Sequence, residues 1–165
     1  MKKYFCVSLL VCGCAAFQDC AADSAQIRFT MEVPTPTCYV NVESTRDLGT
    51  LEQGRQEHPD IPLNVSCTGE VKHALTVQPV AANVLQSDNR RLSVPMNGNA
   101  PSKNGPFLWL EQDGMIVKLT GKVSDAICKE VGSSQTCNVT PVTKLQENSA
   151  IGDGAVAVRF NVVYP

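Results

Sequence analysis

"AVAVRFNVVYP", residues Ala155 to Pro165, closes the chain, and its alternation decides how the rest is read. Val156, Val158, Phe160, Val162 and Tyr164 fall on one face of an extended segment, with Arg159 and Asn161 on the other. Side chains of a strand point alternately to opposite faces, so this is the period-two pattern of a strand with one buried face. Domain termini usually fray and are usually polar. A strand that stays apolar to its penultimate residue needs something to cover it.

The segments before it follow the same grammar. Short β-branched runs alternate with clusters of Gly, Pro, Asn and Asp, and helical periodicity is scarce. Strands are expected at 25–33, 38–43, 61–67, 73–80, 107–112, 115–123, 137–145 and 155–164. "QDG" at 112–114 predicts a tight hairpin, and "VPMNGNAPSKNGP" at 94–106 reads as one long loop. The expectation is an antiparallel all-β sandwich of seven or eight strands.

The other end sets the compartment. Lys2 and Lys3 precede the apolar run "YFCVSLLVCGCAAF" and the small residues of "CAADSA". A basic start, a short apolar stretch and a small-residue zone predict a secretory signal peptide over 1–22. The run is too short to span a bilayer. Cleavage near Ala22 leaves about 143 residues, one domain's worth. A rival cut at "LVCGC" would lipidate Cys14, but it would leave Cys20 as an odd thiol. With the leader gone, Cys38, Cys67, Cys128 and Cys137 remain for two disulfides in an oxidising compartment. Three pairings are possible. We favour Cys38–Cys67 and Cys128–Cys137, because the latter two flank the turn-rich "KEVGSSQT", which a hairpin staple would suit.

Charge and chemistry exclude more than they select. Fourteen basic against 16 acidic residues provide no field for nucleic acid. The two histidines, His58 and His73, accompany no ligand set at metal spacing, and no catalytic motif is present. His58 reads as a solvated loop residue, and His73 as structural. No catalytic residue, metal or cofactor is expected, and no enzyme. The sequons at Asn64 and Asn138 are taken as chance. Trp109 in "FLWL" reads as core, with a sugar-stacking platform as the alternative.

A second alternating stretch precedes the first retained cysteine. Ala25, Ile27, Phe29, Met31 and Val33 alternate with Gln26, Arg28, Thr30 and Glu32, and "PTPT" then breaks the pattern. Proline has no N–H for a ladder and favours an extended spacer. The stretch is either the first strand of the chain's own sheet or an arm that pairs elsewhere. Burying Ile27, Phe29, Met31 and Val33 would contribute on the order of 6–12 kcal/mol before ordering costs, comparable to a whole domain's stability. Left in water, such an arm would aggregate.

The ordered set of a signal peptide, an alternating arm, Cys38 and Cys67, Gly152 ahead of a terminal strand, and a tyrosine next to last resembles the pilins of the chaperone–usher pathway. The mature start "ADSAQIRFTMEVPTPTCYVNVES" is similar to that of minor tip-fibrillum subunits of type 1-like fimbriae. The resemblance implies an incomplete immunoglobulin-like sandwich lacking its final strand: a donor-strand extension over 23–36, then a pilin domain over 37–165. It implies that a periplasmic chaperone fills the vacancy first, and that the arm of the next subunit replaces it at an outer-membrane usher. Ala25, Ile27, Phe29, Met31 and Val33 would be the donor face. Gly152, Val156, Val158, Phe160, Val162, Tyr164 and the carboxylate of Pro165 would form the groove strand. The implied destination is a surface fimbrium that contributes to adhesion, with neighbouring pilus subunits as partners and a host receptor reached through the assembled fibre. Two departures from the family stand out: the arm has no glycine partway along, and Cys128 and Cys137 form an extra pair. The alternatives are a tip-located adaptor or adhesin-like subunit, and a self-complete secreted sandwich.

Overall fold

A computed structural model describes residues 28–33 and 35–165. The expected leader and the arm residues Ala25 and Ile27 lie outside the described residues. The chain divides into two units between Val33 and Pro34. In the first, residues 28–33 form no strand, contrary to the strand expected over 25–33, and Phe29, Met31 and Val33 are exposed.

The unit from Pro34 holds eight strands: β1 (Cys38–Asn41), β2 (Gly54–Glu57), β3 (Ile61–Pro79), β4 (Leu92–Ser93), β5 (Phe107–Gln112), β6 (Met115–Ile116), β7 (Ile127–Leu145) and β8 (Val158–Val163). Two short 3-10 turns, Ala82–Val84 and Val123–Asp125, are the only helical residues described.

β3 and β7 carry the architecture. They pair antiparallel from Ile61 opposite Val139 to Leu75 opposite Ile127, with register breaks at Ser66/Val71 and His73/Leu75. Early in β3, buried Leu63 and Val65 alternate with exposed Pro62 and Asn64, while His73 to Val77 are all buried. The first pattern belongs to a strand covered on one face, the second to one covered on both. The two strands expected at 61–67 and 73–80 are therefore one, and the strand expected at 137–145 is the end of a longer one.

The ribbon also doubles over. Cys128 and Cys137 lie in the same strand, nine residues apart, yet their Cα atoms are 5.8 Å apart. Nine residues of straight strand would span about 30 Å. The break between Ser66 and Val71, facing Gly132 to Ser134, marks the bend. Folding over brings Leu63, Val65, Leu75, Cys128, Cys137 and Val139 into one cluster. Both disulfides form as favoured, Cys38–Cys67 and Cys128–Cys137. The second is not the hairpin staple expected: "KEVGSSQT" is strand rather than a hairpin tip, and the bond ties a folded strand to itself.

Past the bend, β7 changes partners. Its last residues pair with β5, from Phe107 opposite Lys144 to Glu111 opposite Thr140, and with the polar β2. β4 and β6 complete this side on β5. A second cluster, built on Val77, Leu92, Leu110, Val117 and Leu119, fills the space beneath.

The "QDG" hairpin forms as expected: Asp113 and Gly114 both take positive φ, 50° and 75°, as a two-residue primed turn requires. The strand expected over 115–123 does not persist beyond Ile116. Val117 and Leu119 stay buried and Lys118 exposed, so the alternation survives. The amides of Val117, Leu119 and Gly121, however, bond to Leu110, Asn89 and Val77 in turn. An extended segment that shares its donors among three neighbours builds no ladder. The long loop at 94–106 is as expected.

Candidate functional site: the open edge of the last strand

β8 lies antiparallel on the second half of β3, with Leu75 opposite Val162, Val77 opposite Phe160 and Pro79 opposite Val158. β1 lies on the first half of the same edge, with Cys38 opposite Cys67 and Asn41 opposite Asn64. The two strands run in the same direction, one behind the other, along one side of β3. Their junction is fixed twice: the Cys38 amide donates to the Tyr164 hydroxyl at 2.8 Å, and the Cys38–Cys67 bond ties β1 down. Closing a 29-residue loop stabilises by roughly 3–4 kcal/mol in the chain-entropy account.

This arrangement limits what can pair with β3. Backbone bonds between β1 and β3 reach Thr37 and Thr68. Beyond that point the edge from Ala74 to Pro79 is already taken by β8. From Ala74 onward, a further strand on this side of β3 would have to displace β8.

The outer edge of β8 is different. Among the described residues, β8 has β3 as its only ladder partner. The apolar side chains of β8, with Val156 just ahead of it, rest on both clusters: Val162 on the first, Val156 and Val158 on the second, and Phe160 on both. None of the four is fully buried. Beside them Val40 and Val42, also half-buried, border the first cluster. A row of half-covered apolar side chains along a strand with unpaired N–H and C=O groups can accept one more strand. Backbone bonds would supply affinity, and the alternating side chains the register.

The remaining expected site residues are placed as follows. Tyr164 is 51% exposed beyond its bond to Cys38, and Pro165 is exposed. Gly152 precedes β8 rather than belonging to it, with φ of 121°. A Cβ there would stand 2.2 Å from the Asn97 amide, which donates to the Ile151 carbonyl at 2.9 Å and accepts from the Asp153 amide at 3.0 Å. Gly152 thus lets the 94–106 loop clamp the lead into the last strand. Sequence reasoning missed Asn97, whose only signal was its place in an Asn–Gly pair.

The histidines do no chemistry at this edge. His58 is not solvated as expected. It is half-buried, with Nε2 2.8 Å from the Thr143 hydroxyl, and Asp60 accepts instead from Thr140. His73 is fully buried in β3, its Nδ1 donating to the Val71 carbonyl at 3.0 Å. Cys38, Cys67 and His73 converge, but the sulfurs are spent in the disulfide and provide no thiolate for a metal. Trp109 is 6% exposed and packs with Phe107 and Val142, the core position expected of it.

No family model matches the sequence, and no curated protein does. Solved structures do match in shape. A chaperone–usher pilus structure bearing on rod uncoiling aligns with a TM-score of 0.52 at 18% identity, over 87% of this chain and 97% of its own. The P pilus rod subunit PapA aligns with a TM-score of 0.53 at 18% identity, over 78% of this chain and 99% of its own. The fold is that of chaperone–usher pilus subunits, as the resemblance implied.

Proposed function

We propose that this chain is a structural subunit of a bacterial surface fimbria, assembled by donor-strand exchange. The observation that carries this reading is the outer edge of β8, where Val158, Phe160 and Val162, with Val156 just ahead of them, stay half-covered and no described strand pairs. Chaperone–pilin complementation is a known instance of such strand addition. Residues 23–36 serve as the donated strand, with Ala25, Ile27, Phe29, Met31 and Val33 entering the groove of a neighbouring subunit. The exposure of Phe29, Met31 and Val33 and the absence of a strand over 28–33 favour donation over a self-complete sandwich. A periplasmic chaperone occupies the edge first and an outer-membrane usher exchanges it, so the route runs through the periplasm to the surface. The role is structural rather than enzymatic, and adhesion follows from the fibre.

The test is recovery from the periplasm. Exported alone, the full chain should aggregate or be degraded. Co-expressed with a fimbrial chaperone, it should be recovered as an equimolar complex, weakened by Phe160→Ser, which sets a hydroxyl in the apolar row. A stable, soluble monomer without any chaperone would sink the reading.

A further inference from the structure

A second feature lies away from the β8 edge and shares no lining residue with it. A cleft of about 790 Å³ opens between β2, the 88–91 turn, β5, the 116–125 segment and the end of β7. Six of the chain's 14 lysines and arginines line it: Arg55, Arg90, Arg91, Lys118, Lys122 and Lys144. Only two of the lining residues, Asp88 and Asp125, are acidic. In a chain of net charge −2 this is a local concentration of positive charge that the overall balance hides.

Three of the cations are held in ion pairs, and among the described residues three are not. Arg91 bonds Asp88 at 2.6 Å and Lys118 bonds Asp125 at 3.0 Å. Arg55 reaches Glu111 at 3.1 Å and lies 6.0 Å from the Trp109 ring centre, while the indole N–H donates to the same Glu111 at 2.7 Å. Among the described residues Arg90, Lys122 and Lys144 form no ion pair. Glu57 also pairs with Arg55, so four carboxylates stand against six cations and leave an excess of positive charge whose mutual repulsion is not cancelled. An anion bound among them would relieve it.

The geometry points to this cleft as a binding site for an acidic saccharide, one carrying carboxylate or sulfate groups on its rings. Three observations select that class. The hollow is bounded, with room for a few sugar rings, rather than a long positive stripe suited to a nucleic-acid backbone. Its lining mixes cations for acid groups with Asn89, Thr120 and the two carboxylates, which can bond ring hydroxyls. Those carboxylates stay ionised. For Asp88 burial opposes this, but the Arg90 and Arg91 amides and the Arg91 side chain outweigh it; for Asp125 the Thr120 hydroxyl and Lys118 lower the pKa. Fixed negative charge inside the cleft disfavours a uniformly dense polyanion and tolerates one whose charges are spaced along a sugar chain.

The protein carries its own reporter, because Trp109 is its single tryptophan and lines the cleft. The full chain, as recovered from the periplasm with any bound partner, is titrated at physiological salt with three tetrasaccharides. One is sulfated and heparin-derived, one is a carboxylated oligogalacturonate, and one is neutral maltotetraose. We expect a saturable change in Trp109 fluorescence with an acidic sugar and none with the neutral one. The stronger acidic ligand names the acid group. The Arg90→Gln, Lys144→Gln double variant should bind at least tenfold more weakly with an unchanged melting temperature, since neither residue is in an ion pair. If that variant fails to fold, Lys122→Gln alone should still weaken binding several-fold. Silence with both acidic sugars, an equal response to maltotetraose, or unchanged affinity in the folded variants would overturn the site. So would tighter binding of a length-matched oligonucleotide or a polyglutamate peptide.

Discussion

The second half of β3 and the whole of β8 are neighbours, paired residue by residue, and both are rich in apolar side chains. Their fates differ. Leu75 and Val77 on β3 are 0% and 1% exposed, whereas Val162 and Phe160, directly opposite them, remain half-buried. The cause is the number of neighbours. Leu75 pairs with Ile127 on one side and Val162 on the other, but among the described residues β8 is paired on one side alone. Hydrophobic sequence makes a strand want cover, and topology decides whether it receives it.

The largest test of that contrast supplies the missing neighbour. Added to the full chain refolded in vitro at low concentration, a peptide of residues 23–34, or the arm of an adjacent subunit, should raise the melting temperature by at least about 10 °C. Its apolar face gains on the order of 6–12 kcal/mol of burial before ordering costs. No shift with any such arm would break the contrast. Next, Leu75→Ala should cost about 2–5 kcal/mol in urea unfolding, with or without the peptide, because its cavity is enclosed in both states. Phe160→Ala should behave differently. Half-buried, it should cost about 2 kcal/mol in the open chain and approach the 3–5 kcal/mol of a buried phenylalanine once the peptide covers it. Equal costs in the two states would mean that Phe160 does not face the guest.

The smallest effect is electrostatic, and it belongs to the side of the fold away from the β8 edge. The Trp109 indole N–H, with help from Arg55 and against partial burial, holds the Glu111 carboxyl below its ordinary range. A carboxyl depressed in the native state adds stability above its unfolded pKa, and that stability is lost as pH falls through the native one. Unfolding midpoints should therefore decline as pH drops from about 5 through the carboxylate range, and Glu111→Gln should flatten part of that decline. The peptide-induced gain should change little over the same window, since no titrating side chain lies in the apolar row. A gain that vanished with acid would place a charged group at the groove.

The sequence made much of the fold legible, for reasons visible at particular residues. The hairpin at 112–114 was plain because Asp–Gly satisfies a turn geometry locally. β5 was plain because a short aromatic and aliphatic run is sufficient to mark a strand. What escaped was non-local. The polar "GRQE" of β2 carries no apolar signal and is a strand only because β7 offers it an edge. The segment after Ile116 keeps a strand's alternation but finds three different acceptors. The bend in β7 is invisible in "KEVGSSQT", whose residues read as a turn and form a ladder. At the candidate site, the alternating row was readable in full, while the Asn97 clamp on Gly152 was not. Arg55, Arg90, Lys118 and Lys144 are scattered along the chain, and only folding gathers them.

By itself the sequence determined that this protein would be built of strands and that its last strand would present an apolar face, because side-chain alternation is a property of consecutive residues. It also favoured the cysteine pairs. Only the tertiary structure decided which apolar face would lack a neighbour. β1 and β8 divide one edge of β3 between them, and among the described residues no strand pairs with the outer edge of β8. An unfilled edge is a fact about who lies beside whom, and no run of residues encodes that alone.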